Sequence, residues 1–139
     1  FWQEDCDWSG FKWISCDDNE NSVISFYRQG KEKDDQTIVI CNFTPAVHHG
    51  YRIGIPAKGT YKEVFNSDAT EFGGSNVLNT EPIKTSDIPC HGMEQSIELT
   101  LPPLGAIYLQ KQSLKKASTT LRNITKKALP KKSANKKRQ

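Results

Sequence analysis

Thr37-Ile38-Val39-Ile40-Cys41-Asn42-Phe43-Thr44-Pro45 is the stretch that decides the fold. Four apolar residues run without a polar break, so both faces of the segment call for burial. The first three are β-branched and favour extended backbone. A run this short, between a charged turn and a proline, predicts a buried strand rather than a helix. It reads as the central strand of a β domain. Asn42-Phe43-Thr44-Pro45 closes it, because proline cannot donate to a strand ladder.

Working back from that strand, residues 29–35 (Gln-Gly-Lys-Glu-Lys-Asp-Asp) are a charged hairpin connection. Residues 23–28 (Val-Ile-Ser-Phe-Tyr-Arg) are a β-rich run and predict a first strand. Asp17-Asp18-Asn19-Glu20-Asn21 is expected to be a solvated turn, since no EF-hand spacing follows it. The first 14 residues hold Phe1, Trp2, Trp8, Phe11 and Trp13, including every tryptophan of the chain. Aromatic side chains this dense need a surface to pack on. Ser9-Gly10 marks a turn within them.

Working forward, Tyr51, Ile53 and Ile55 alternate with Arg52 and Gly54, as in a half-buried antiparallel strand. Residues 56–59 are a turn and 60–66 the next strand. Residues 67–93 show neither period. A loop that long carries function or disorder. Its Gly73-Gly74 pair lacks the Lys-Ser/Thr of a phosphate loop. Ile97, Leu99 and Leu101 alternate inward against Ser96, Glu98 and Thr100. Pro102-Pro103 breaks the chain, and 104–109 reads as the last strand. Six strands, no strong helix and turns at short spacing predict an all-β, antiparallel sandwich or barrel.

The 139 residues are enough for one core. The net charge of +3 divides unevenly. All 16 acidic residues precede Lys111, with 8 of the 19 basic ones, so the body carries −8 and the tail +11. In the tail, Leu114, Ala117, Leu121, Ile124 and Ala128 share one helical face until Pro130, and 131–138 reads as unstructured. Such a tail is partly helical or disordered, and offers at most a salt-sensitive, sequence-blind tether to nucleic acid, anionic lipid or an acidic protein. The acidic body has no recognition motif, so no specific nucleic-acid partner is expected. No apolar run is long enough for a membrane span. Cys6, Cys16, Cys41 and Cys90 have no Cys-x-x-Cys spacing and read as thiols in a reducing compartment.

Little here suggests chemistry. His48 and His49 are adjacent, so on extended backbone they point apart and make a poor metal pair; His91 is alone in the long loop. No Gly-x-Ser-x-Gly, His-Glu-x-x-His or phosphate-loop pattern occurs. Residues 1–110 read as non-catalytic, with no cofactor and no metal.

A series of short motifs, taken in order, resembles the C-terminal end of bacterial-type 1,4-α-glucan branching enzymes of the α-amylase superfamily. They are Gly10-Phe11-Lys12-Trp13-Ile14, Ser22-Val23-Ile24-Ser25-Phe26-Tyr27-Arg28, Cys41-Asn42-Phe43-Thr44-Pro45 and Gly50-Tyr51-Arg52-Ile53-Gly54-Ile55-Pro56. Phe65-Asn66-Ser67-Asp68-Ala69, Gly73-Gly74-Ser75 and Leu99-Thr100-Leu101-Pro102-Pro103-Leu104 complete them. The resemblance covers nearly all of 1–110 and none of the tail. It implies the Greek-key β-sandwich that follows a catalytic (β/α)8 barrel. It also implies a parent that cuts an α-1,4-glucan and rejoins it through an α-1,6 bond, in glycogen synthesis. The catalytic carboxylates would lie upstream of Phe1, so no catalytic residue is assigned here.

The resulting expectations divide the chain into 1–14 (end of the barrel segment, with 1–7 closing its last helix), 15–111 (β-sandwich) and 112–139 (basic tail). Trp2, Trp8, Phe11 and Trp13 are expected to face the catalytic barrel. Asp68, Phe72 and Asn76 in the long loop are candidates for contact with glucan or barrel. A cytoplasmic location is expected. The alternative is an independent module that binds α-glucan through its aromatic surplus.

Overall fold

β3, Gln36–Asn42, is the interior strand that the apolar run requires. In the computed structural model, which describes residues 8–32 and 35–112, Ile38, Val39 and Ile40 are all buried. The expectations for residues 1–7, including Trp2 and Cys6, and for the tail helix lie outside the described residues.

β3 lies between β2 (Val23–Gln29) and β8 (Ala106–Lys111) in a sheet ordered β1-β2-β3-β8-β5-β6. Here β1 is Phe11–Asp18, β5 is Thr60–Asn66 and β6 is Ile83–Lys84. β4 (His48–Ile55) and β7 (Gln95–Leu101) form a separate antiparallel pair. The chain changes sheet between β3 and β4, β4 and β5, β6 and β7, and β7 and β8. Such crossings are those of a Greek-key β-sandwich. One core joins the sheets: Val23, Ile38, Ile40, Tyr61, Ile107 and Leu109 pack with Ile53, Ile55, Ile97, Leu99 and Leu101. The inward alternation expected for β4 and β7 is therefore observed.

Side-chain hydrogen bonds tie the ends of the layers. The Tyr51 hydroxyl on β4 donates to the Asp18 carboxylate on β1 across 2.7 Å. Burial pushes the Asp18 carboxyl up, but the bonds from Tyr51 and Asn21 outweigh it and hold the group below its ordinary value. Gly54 lies so close to the Cys90 carbonyl that a Cβ would overlap it, and its N–H donates to His91 Nδ1 at 3.2 Å.

Four details differ from expectation. The described residues hold eight strands, not six. β1 escaped notice because its register shifts between Trp13 and Ser15 and again before Asp18, which destroys the alternation a strand shows in sequence. Asp17 and Asp18 end this strand rather than forming the turn, and residues 11–14 of the expected lead-in are its first half. β6 is two residues long, too short to leave a period. His48 and His49 open β4 rather than sitting in a turn. The last strand starts at Ala106, two residues later than its sequence suggests, because Leu104 has φ 44° and its N–H is held by the Thr44 carbonyl.

Candidate functional site

Directly opposed residues of antiparallel strands share a face. The pairs Trp13↔Phe26, Phe26↔Val39, Val39↔Tyr108 and Tyr108↔Phe65 therefore place five apolar side chains in one row. That row crosses the outer face of the six-stranded sheet, away from the core. Five strands at about 4.8 Å spacing make it roughly 19 Å long.

Its two ends are aromatic clusters. At the β1 end Phe11, Trp13 and Phe26 meet pairwise with ring centroids 5.0–5.7 Å apart. The Arg28 guanidinium lies 6.0 Å from the Phe11 ring centre, within cation–π range. Trp13 nonetheless remains 52% exposed, and Trp8, just ahead in a short 3₁₀ turn, is 91% exposed. At the β5 end Phe65 contacts Tyr108 at 4.8 Å and Phe72 at 5.5 Å. Phe72 is 58% exposed. Below the row, Cys41 and Ala106 line a shallow groove of about 290 Å³ rimmed by Phe43 and Leu104, both exposed. Large exposed apolar patches on a soluble domain mark interaction surfaces.

Phe72 is held where it is by a loop with little freedom. The Asp68 carboxylate accepts from the Ser75 N–H (2.9 Å), the Ser75 hydroxyl (2.9 Å) and the Val77 N–H (2.8 Å). Asn66 closes the loop's base: Nδ2 donates to the Val77 carbonyl and Oδ1 accepts the Asp68 N–H. A Cβ on Gly74 would overlap the Asp68 backbone, so only glycine lets the two strands of the loop approach this closely. Further on, Asn79 binds Glu63 and both backbone groups of Thr100. The long loop is thus fastened to β5 and β7 by side-chain amides and one carboxylate.

Hydrogen bonds from Val77, then Ser75, hold the Asp68 carboxyl below its ordinary value of 3.8, against an opposing push from burial. A lowered folded value means the group stabilises the fold fully above its unfolded pKa, and that this contribution disappears as pH falls through the folded value. Urea unfolding at pH 6 and pH 3 should therefore show an acid-side loss of stability that is smaller in Asp68→Asn. An unchanged acid limb in that variant would refute the assignment.

The site residues named from sequence fall as follows. Trp8, Phe11 and Trp13 lie at the β1 end of the outer face. Asp68 is turned into its own loop, Phe72 stands out from it, and Asn76 takes φ 68° with its N–H bound to the Asp68 carbonyl. Phe26, Val39, Phe65 and Tyr108 were not singled out. Their signal is present in the sequence as apolar residues out of phase with the inward set, but it needs the strand register to be read.

A second groove of about 620 Å³ opens between Arg52, Ile83, Ile88 and Glu98. The Arg52 guanidinium already donates to the Ser86 and Ser96 hydroxyls and to the Glu98 carboxylate. That network fastens the loop to β4 and β7. Among the described residues no three His, Cys, Asp or Glu side chains converge as metal ligands, and Cys16, Cys41 and Cys90 are free thiols. No described helix is long and apolar enough to cross a membrane.

The fold is an all-β sandwich whose six-stranded sheet carries a row of apolar side chains on its outer face. The chain belongs to the family described as alpha amylase, C-terminal all-beta domain, whose model matches residues 13–112. Among curated relatives, the 1,4-alpha-glucan branching enzyme GlgB of Prochlorococcus marinus (strain NATL1A) is 48% identical over 114 residues, covering 82% of this chain and 15% of the relative. The protein of the same description from Halothermothrix orenii is 49% identical over 109 residues, covering 78% and 17%. The chain therefore spans about one sixth of the length of the relatives it matches. A crystal structure of alpha-amylase from H. orenii aligns with TM-score 0.41 and 20% identity over 73% of this chain and 16% of that one.

Proposed function

We propose that this chain is the non-catalytic C-terminal domain of a 1,4-α-glucan branching enzyme, and that it buttresses the enzyme's catalytic barrel. The parent enzyme would transfer α-1,4-glucan segments to α-1,6 branch points in glycogen synthesis, in the cytoplasm. The observation that carries the reading is the β1 end of the outer face. There Trp8 and Trp13 are exposed next to Phe11 and Phe26, in a chain nearly half identical to proteins described as branching enzymes. Burying two tryptophans recovers several kcal/mol of apolar surface on the order of 25 cal/mol per Å². In this reading the residues ahead of β1 lead out of the barrel and 112–139 form a basic appendage.

The rival reading, a free-standing α-glucan module, has weaker support. Trp13 is already packed T-shaped against both Phe11 and Phe26, at 89° and 80°. The Asp68 carboxylate is engaged by its own loop. Amylose incubated with the isolated chain should keep its iodine colour, and the chain should run unretarded through a gel containing glycogen. Branching by the chain, free of contaminating enzyme, would defeat the proposal. Strong retardation in glycogen would favour the module.

A further inference from the structure

We infer that the Asp68-fastened loop presents Phe72 as a second anchor for the same catalytic domain, so that docking spans the whole outer face rather than its β1 end alone. The inference rests on the buttress reading and extends it to a surface 19 Å away, roughly the width of five strands.

Three observations carry it. First, Phe65, Tyr108 and Phe72 lie on the same sheet face as Trp13 and Phe26, joined to them through Val39, so one partner that follows the sheet's twist can cover both clusters. Second, Phe72 stays exposed on a loop that Asp68, Asn66 and Gly74 over-determine. One side of that ring rests on Phe65, with centroids 5.5 Å apart, and the residue is still 58% exposed. A rigid loop that holds an aromatic ring out in solvent lowers the entropy cost of binding, because the anchor is already ordered. Third, the flanking groove under Phe43 and Leu104 continues the apolar surface on the same face. The occupant is the catalytic domain of the same polypeptide, which has the size to cover such a surface: relatives extend about six times the length matched here.

The test uses the full-length enzyme and the isolated chain side by side. Each carries Phe72→Ala or Trp13→Ala, and the readout is the rate at which a protease releases this domain under native conditions. Truncating a central aromatic anchor weakens a docked interface by roughly tenfold or more. Phe72→Ala should therefore speed release from the full-length enzyme about tenfold, as should Trp13→Ala. It should leave the melting temperature of the isolated chain nearly unchanged. Acceleration by Trp13→Ala alone overturns this inference and leaves the buttress reading intact. No acceleration by either variant overturns both. An equal loss of stability in the isolated chain makes Phe72 a packing residue only and overturns the inference. So does a dimer of the isolated chain that Phe72→Ala abolishes, because the occupant is then a second copy.

Discussion

Asn42→Asp is expected to unfold the domain at neutral pH or bring it close to unfolding. Asn42 is buried at the end of β3, and its amide is used completely. Nδ2 donates to the carbonyls of Ala46 and Pro102, both at 2.8 Å. Oδ1 accepts from the Thr44 N–H at 2.9 Å and the Thr44 hydroxyl at 2.8 Å. One side chain thus joins the end of the central strand to the loop entering β4 and to the loop leaving β7. A carboxylate of the same shape keeps the two accepted bonds but turns both donated bonds into oxygen facing oxygen. Leaving a charge buried without a partner costs about 3–5 kcal/mol, against a total stability of roughly 5–15 kcal/mol. The melting temperature should fall by about 15 °C or more. The sign of the pH response identifies the cause. The introduced carboxyl has a raised folded pKa, so the penalty is largest when it is ionised and shrinks as pH falls. Asn42→Ala, which removes all four bonds without adding charge, should lose about 1–3 kcal/mol and show no such recovery at pH 4.5. A variant Asn42→Asp that melts with the parent chain would mean that solvent reaches this corner.

Asn42 also shows what the sequence could and could not reveal. The run Ile38-Val39-Ile40 announces a strand buried on both faces, because no other simple arrangement hides three consecutive β-branched residues. The alternations in β4 and β7 announce half-buried strands for the same reason, and all three appear where expected. The full role of Asn42 is not legible: Thr44 and Ala46 are sequence neighbours, but the Pro102 carbonyl lies 60 residues away and reaches it only through the crossings between sheets. The outer face is legible in part. Trp13 and Phe11 stand out because aromatic residues crowd together there. Val39 looks like any core residue until the register sets it between Phe26 and Tyr108. Residues 67–93 carry no period, since the loop is ordered by Asp68, Asn66, Asn79 and Arg52 side chains rather than by a repeating backbone ladder. Polar residues that fasten a loop and polar residues that solvate one have the same composition.

The second large effect is expected at Tyr61, the largest fully buried side chain of the described residues. Its ring fills the core beneath β5, and its hydroxyl donates to the Ala57 carbonyl at 2.7 Å. Tyr61→Ala should cost about 3–5 kcal/mol through the cavity it leaves, whereas Tyr61→Phe should cost only about 1 kcal/mol for the lost hydrogen bond. The separation between those two variants measures burial against hydrogen bonding. The choice of probe gives the result a bearing on function. All three tryptophans lie within the first 13 residues, and β1 is separated from β5 by β2, β3 and β8. In a Trp2→Phe background the fluorescence of Trp8 and Trp13 therefore reports one edge of the sheet while the cavity is opened near the other. In a sandwich that unfolds as a unit, fluorescence and circular dichroism shift to lower urea together. A fluorescence midpoint that stayed at the parent value while the dichroism midpoint fell would mean that β5 and β6 come away on their own. Phe72 rides on the loop that follows β5. With β5 free to detach, Phe72 and Trp13 would no longer belong to one rigid face, and a single partner could not be held by both.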